Sequence, residues 1–219
     1  MNPLWLFWYS SLMGWTRKSN QSSNRFWYGK HRAEHWYRDN QIYFFTARCR
    51  DRFPAFESEQ AKEIFWTRFE QVPDRFNYHP WISTLVDNHY HSMGVLELGE
   101  QLGPMMKWLH GGTAKLVNDL LENQWKAGLI DSPHLINGRL VPFWRDTKHK
   151  NYFDGCLRNE TQGRKTYRYI LTQSVRHGIM NNWRNYPHTR IHVELEEAIE
   201  LALRNNAFLE GVPYKRYER

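Results

Sequence analysis

Two β-forming runs joined by Asp87-Asn88 constrain this chain more than any other stretch. Residues 79–86 and 90–98 are rich in β-branched, aromatic and other apolar side chains, and Asp-Asn at the join suits a tight hairpin. Helical patterns stand on either side. Ser58 is placed to cap a helix with Glu59 in its first turn, and Ala61, Ile64, Phe65, Phe69 and Val72 give it an apolar stripe that Pro73-Asp74 ends. After the hairpin, residues 101–122 place Leu102, Met105, Met106, Leu109, Leu116, Val117, Leu120 and Leu121 at helical spacing, with Gly111-Gly112 as an interruption. Residues 42–48 read as a buried strand, 152–157 as a fourth short strand, 123–139 as a loop, and 161–173 as a third helix.

The order β-α-β-β-α-β-α with a central hairpin is that of a ferredoxin-like split sheet plus one helix. The expected class is α+β: four antiparallel strands with helices on one face, then a helix carrying Tyr169 and a helical tail. The tail helix over 192–204 is acidic early and basic late and stops at Asn205-Asn206. Three regions are expected: an aromatic and basic extension over 1–39, the main domain over 40–183, and the tail over 184–219. The apolar run 1–15 is too short to span a bilayer, and Arg17 and Lys18 follow it rather than precede it, unlike a signal peptide. No membrane partner is expected.

Hydrophobic residues at 41% and charged residues at 24% place the chain among globular proteins. Two cysteines, Cys49 and Cys156, without a C-x-x-C exclude a zinc knuckle or a disulfide framework, and a reducing cytoplasm fits. A net charge of +7 with eleven Trp favours phosphate contacts and base stacking, with a solvated basic surface as the alternative. Residues 25–38 interleave Arg25, Lys30, Arg32 and Arg38 with Phe26, Trp27, Tyr28, Trp36 and Tyr37. That pattern serves a groove for single strands or an ordinary amphipathic arm.

Two short stretches carry chemistry. His89 and His91 are two apart, so on a strand both imidazoles leave the same face. Tyr169 and Gln173 are four apart, so on a helix they lie one turn above each other. A helix packed across that strand would bring two imidazoles, an amide and a phenol together. With eleven His, an H-x-H arises by chance about half the time, and either histidine alone reads as a half-exposed strand residue. Tyr169 likewise reads as a core aromatic beside Ile170 and Leu171. Tyr167 is a rival nucleophile but cannot share the face of Gln173. His134, His149 and His188 have no ligand spacing and are expected at the surface or beside DNA.

Taken in order, these stretches resemble the single-tyrosine HUH transposases of small insertion sequences, and within them the REP-associated tyrosine transposases. The resemblance covers roughly residues 43–180. It rests on Asn88-His89-Tyr90-His91 opening a strand, the aromatic and basic run from Phe143-Trp144-Arg145 to Tyr152-Phe153, and Tyr169-Ile170-x-x-Gln173-x-Val175-Arg176-His177-Gly178. Val86-Asp87 stands where the family has Met-Pro, Ser174 where a proline is usual, and Gln173 where many members carry Asn.

The resemblance implies attack of Tyr169 on a DNA phosphodiester, leaving a 5′-phosphotyrosine and a free 3′-OH without ATP. It implies a divalent cation, magnesium or manganese, held by His89, His91 and Gln173, because a phenol is a weak nucleophile at neutral pH; imidazole ligands alone equally admit zinc or nickel. Arg145, Lys148, Arg164, Lys165, Arg168 and Arg176 are expected DNA contacts, the partner being single-stranded or hairpin DNA and the protein a monomer or homodimer in the nucleoid-associated cytoplasm. A catalytically silent DNA-binding protein of the same fold and a hydrolase that activates water are the alternatives.

Overall fold

A computed structural model of the protein describes residues 38–144 and 152–208. The apolar run 1–15, nearly all of the aromatic and basic arm, Arg145, Lys148 and His149 lie outside the described residues.

The strands pair as their alternation dictates. β1 (Gln41–Arg48) runs antiparallel to β3 (His89–Leu96), in register from Gln41 opposite Leu96 to Arg48 opposite His89. β2 (Tyr78–Val86) lies on the other side of β3, joined to it by the tight turn at Asp87-Asn88. β4 (Phe153–Cys156) adds to the free edge of β1. A fifth strand, β5 (Thr189–Ile191), pairs antiparallel with Ile82–Thr84 of β2, where four strands were expected. The sheet order is β4-β1-β3-β2-β5. Its first four positions and the connection order are consistent with a ferredoxin-like arrangement.

One face of the sheet makes the main core. Tyr43, Phe45, Ala47 and Cys49 of β1 and its extension, Tyr78 of β2 and Tyr90 of β3 are buried there. They meet Phe65 and Phe69 of α1 (Glu59–Phe69) and Leu102, Met105 and Leu109 of α3 (Leu102–Lys126). Removing each such aromatic or aliphatic side chain from water contributes about 1.5–3 kcal/mol. Ser58 caps α1 as its sequence position implies, its hydroxyl accepting the Ala61 amide at 3.2 Å. Pro73 does not end a helix. It lies in the first turn of a separate short one, α2 (Val72–Phe76), where its missing N–H has no intrahelical partner to lose. Nor does Gly111-Gly112 interrupt α3, which is continuous. At Gly112 the space of a side chain is taken by the Arg68 guanidinium, which donates to the Trp108 carbonyl at 2.8 Å and lies 4.0 Å from the Trp108 ring.

The other face carries different helices, so the helices are not confined to one side. α4 (Glu160–Leu171) crosses β2 and β3 there, and α6 (Leu195–Arg204) packs on α4. Asn159 caps α4 through the Gln162 amide at 2.9 Å. Among the described residues no helix is long and apolar enough to cross a membrane.

Candidate functional site

The odd-numbered histidines of β3 point away from the main core because Tyr90 between them points into it. His89 and His91 are both buried, and their rings stand 4.9 Å apart, edge to face. Phe44 of β1 stacks on His91 from the neighbouring strand at 5.6 Å. α4 lies over this row. Tyr169 sets its ring edge-on to His91 at 5.1 Å and to Phe44 at 6.3 Å, while 37% of its surface stays open to solvent. A shallow cleft beside it is lined by Phe44, Thr46, His91, Lys165, Thr166 and Tyr169.

The helix breaks just past the tyrosine. Thr172 has φ −97° and ψ 11°, and Gln173 opens a new single turn, α5 (Gln173–Arg176). Gln173 is 1% exposed, and its amide nitrogen donates to the Tyr169 carbonyl at 2.9 Å. Its Oε1 is left without a hydrogen-bond partner, as are both ring nitrogens of His91. Buried polar atoms are nearly always paired, so these atoms, unpaired among the described residues on two side chains that act on one another, make His91 and Gln173 candidates to meet a ligand.

The charge state of the imidazoles fits such a ligand. Burial pushes His89 down to about 4, with the neighbouring His177 and Arg48 adding to the effect. Burial likewise holds His91 well below the ordinary imidazole value, followed by His89, His177 and Arg48. Only the Gln173 side chain acts on either in the opposite sense. Both rings are therefore neutral at pH 7, with lone pairs to offer. Nδ1 of His89 lies 2.7 Å from Asn88 Oδ1, an acceptor, so the neutral ring carries its proton at Nδ1 and presents Nε2 unprotonated. Asn88 is itself fixed by donating to the Arg52 carbonyl at 3.2 Å.

Two neutral imidazoles, each with one bare nitrogen, and an amide oxygen are a donor set that suits a divalent cation. Among the described residues no group of three or more His, Cys, Asp or Glu side chains is arranged to hold a metal ion. The candidate set thus depends on the Gln173 amide for its third member.

Tyr167 lies apart from this set. It is 2% exposed and its hydroxyl donates to the Val193 carbonyl at 2.8 Å. Of the basic residues expected to meet DNA, Lys165 lines the cleft and Arg176 lies 5.0 Å from the Tyr169 ring centroid. Arg168 is exposed on α4. Arg164 is engaged within the protein, bonded to Glu160 at 2.7 Å and Glu196 at 2.6 Å. His134 is exposed beside Asp51. His188, expected at the surface, is buried: its Nδ1 accepts from Trp66 Nε1 at 3.1 Å and its Nε2 faces Glu59 at 2.8 Å, a bridge between α1 and the strand β5. Two residues were not singled out and belong here. His177 stands 4.7 Å from the His89 ring, and Arg48 ends β1 opposite His89. His177 was visible in the run after Gln173; Arg48 has no sequence signal, since only strand register brings it to the site.

No protein-family model and no curated protein matches the chain. Among solved structures it is similar to one described as a REP-associated tyrosine transposase bound to a REP hairpin, with a TM-score of 0.55. Identity is 16%, and the alignment covers 78% of this chain and 87% of that one. At that identity the likeness is one of fold.

Proposed function

We propose that the protein cuts and rejoins DNA strands through a covalent link to Tyr169, acting on single-stranded or hairpin DNA. The observation that carries this reading is the half-open phenol of Tyr169 set against His91, whose two ring nitrogens are orphaned together with Gln173 Oε1. The phenol gives its proton to solvent and its oxygen attacks phosphorus in line, the P–O3′ bond breaks, and the 3′ oxygen takes a proton from solvent and leaves as a hydroxyl. The phosphodiester is replaced by a phosphotyrosyl ester of similar energy, so the reverse attack by a 3′-OH rejoins a strand with no added energy source. His89, His91 and Gln173 would hold a divalent cation, magnesium or manganese. Such an ion supplies charge stabilisation at the phosphoryl oxygens. The amide of Gln173 ties that ligand set to the backbone of the nucleophile, which keeps phenol and phosphate in attack geometry. Lys165 in the cleft and Arg176 5.0 Å from the Tyr169 ring suit phosphates at the phenol, and the exposed Arg168, whose charge acts on Glu196, suits one further along α4. The fold likeness to a hairpin-bound protein supports the choice of DNA.

The test is a denaturing gel that separates free protein from protein joined to a labelled hairpin strand. Tyr169→Phe should fold, bind and form no adduct, a loss close to total, because no other positioned nucleophile takes over. Tyr167→Phe deletes the bond to Val193 and should cost about 1 kcal/mol of stability while cleavage stays within about tenfold. Excess chelator should stop cleavage in the unaltered protein. Strand cutting that persists in Tyr169→Phe without an adduct would assign the site to a water-using hydrolase. Binding without any cutting would leave a DNA-binding protein.

A further inference from the structure

The geometry points to Arg48 as an anion-binding residue that holds a phosphate of the substrate strand on the His89 side of the imidazole pair. This inference deepens the DNA-cleaving reading and rests on it for the identity of the anion.

Phe44, Thr46 and Arg48 alternate with the core residues Tyr43, Phe45 and Ala47, so they form one row on the site face of β1. Phe44 meets Tyr169, Thr46 lines the cleft, and Arg48 closes the row directly opposite His89 in the register of β1 and β3. Opposed residues of neighbouring strands place their side chains side by side on one face. Arg48 is half-buried. Among the described residues no carboxylate pairs with it; the groups its charge acts on are His89, His91 and His177. The guanidinium of Arg176 also acts on His177, so His177 stands between two cations. One carboxylate acts on His177, that of Asp87, and its Oδ1 already lies 3.5 Å from Lys62 Nζ.

A partly desolvated guanidinium beside neutral imidazoles has lost hydration and gained no counter-charge from the fold. Two other partly buried arginines are matched with carboxylates, Arg139 with Asp119 and Glu122 and Arg164 with Glu160 and Glu196, and Arg68 is held instead by the Trp108 carbonyl and ring. Arg48 has neither kind of contact among the described residues, and its register opposite His89 turns it to the candidate site, where a counter-anion would come from outside. The planar fork of donors suits the paired oxygens of a phosphate, and its position at the end of the row sets it beyond the cleft along the strand direction.

The experiment keeps the anion and the DNA separate. In metal-free buffer with chelator, the side-chain Nε–H signal of Arg48 is followed by NMR, identified by its loss in Arg48→Lys. Inorganic phosphate should move it saturably, and chloride at the same ionic strength should not. In parallel, binding of a fluorescein-labelled oligothymidylate is measured across a salt series. Arg48→Gln should bind more weakly and flatten the logarithmic salt dependence by about 0.7, the share of one phosphate contact on a single strand. Arg48→Lys should keep the slope, retaining the charge, and bind several-fold more weakly, having lost the fork. If Arg48→Gln does not fold, the phosphate titration and Arg48→Lys carry the test. An Arg48 signal that phosphate leaves unmoved, an unchanged slope in folded Arg48→Gln, or full affinity in Arg48→Lys overturns the assignment. If the protein holds phosphate at Arg48 yet does not bind the oligonucleotide, the anion site stands and the strand as its source falls, with the DNA reading. If it binds the oligonucleotide without Arg48, that reading stands and the inference falls.

Discussion

Asn88 gives His89 a fixed acceptor for one ring nitrogen. The contact selects a tautomer and turns the other nitrogen toward the site, and partners of this kind are worth about 10–100-fold in metal affinity. Asn88→Ala should therefore weaken manganese binding by about that factor in a calorimetric titration, with the fold retained. Asn88→Asp, which leaves an oxygen in the same place, should lose less. Unchanged affinity in Asn88→Ala would show that packing against His177 alone orients the ring. At this scale much of the site is legible in the sequence. The two-residue spacing of His89 and His91 and the four-residue spacing of Tyr169 and Gln173 follow from the periods of strand and helix, and the same period separates Tyr169 from the buried Tyr167. Arg48 and His177 were missed because no spacing along the chain encodes a neighbour across a strand pair or beyond a helix break.

Elements divide in the same way. Ser58 marks the start of α1 because a cap is a local event, and the Asp87-Asn88 turn marks the hairpin for the same reason. Pro73 and Gly111-Gly112 mislead because their effect depends on surroundings: the proline begins a helix, and Gly112 makes room for a side chain from α1. β5 carries too few residues for any pattern to show, and it exists because the edge of β2 offers it partners. Two glycines test this distinction. A Cβ at Gly94 would press on the His79 carbonyl oxygen and lie 2.7 Å from Pro80 Cα, backbone that can move only by parting β2 from β3. Gly94→Ala should cost about 3 kcal/mol or more, judged from urea unfolding. At Gly112 the obstacle is the end of the flexible Arg68 side chain. Gly112→Ala should sacrifice the bond to Trp108 but gain helix propensity, leaving stability within about 1 kcal/mol of the starting protein. Equal losses at the two positions would contradict the packing described.

The molecule as a whole stores several histidines in neutral form. Burial pushes His110 down to about 3 and His192 to about 4, as it does His89 to about 4, against 6.5 for a free imidazole. On unfolding each ring takes up a proton below its free value, so the stability that these groups supply is full above about pH 6.5 and drains away as the pH falls toward their folded values. The carboxylates held low by cations, Glu59, Glu122 and Glu196, start from 4.5 and enter only further down. Between about pH 6.5 and 5 the histidines act alone, and the urea midpoint should drop steadily across that interval. A flat midpoint there would mean that these rings are not kept neutral by burial.

The segment 186–193 covers part of the β2 edge of the sheet. Tyr186 donates to the Leu85 carbonyl, His188 joins Trp66 to Glu59, β5 pairs with Ile82–Thr84, and Val193 receives the hydroxyl of Tyr167 from the helix that bears Tyr169. Shortening the chain at residue 183, where a domain boundary looks natural on paper, would strip that cover. The peptide groups of Ile82–Thr84 would then face outward as an open template, ready to recruit the same strand from another copy. A three-residue edge offers a second copy fewer backbone partners than the nine residues of β2 would, so the truncated chain should gain mass in sedimentation as its concentration rises, where the full chain gains less.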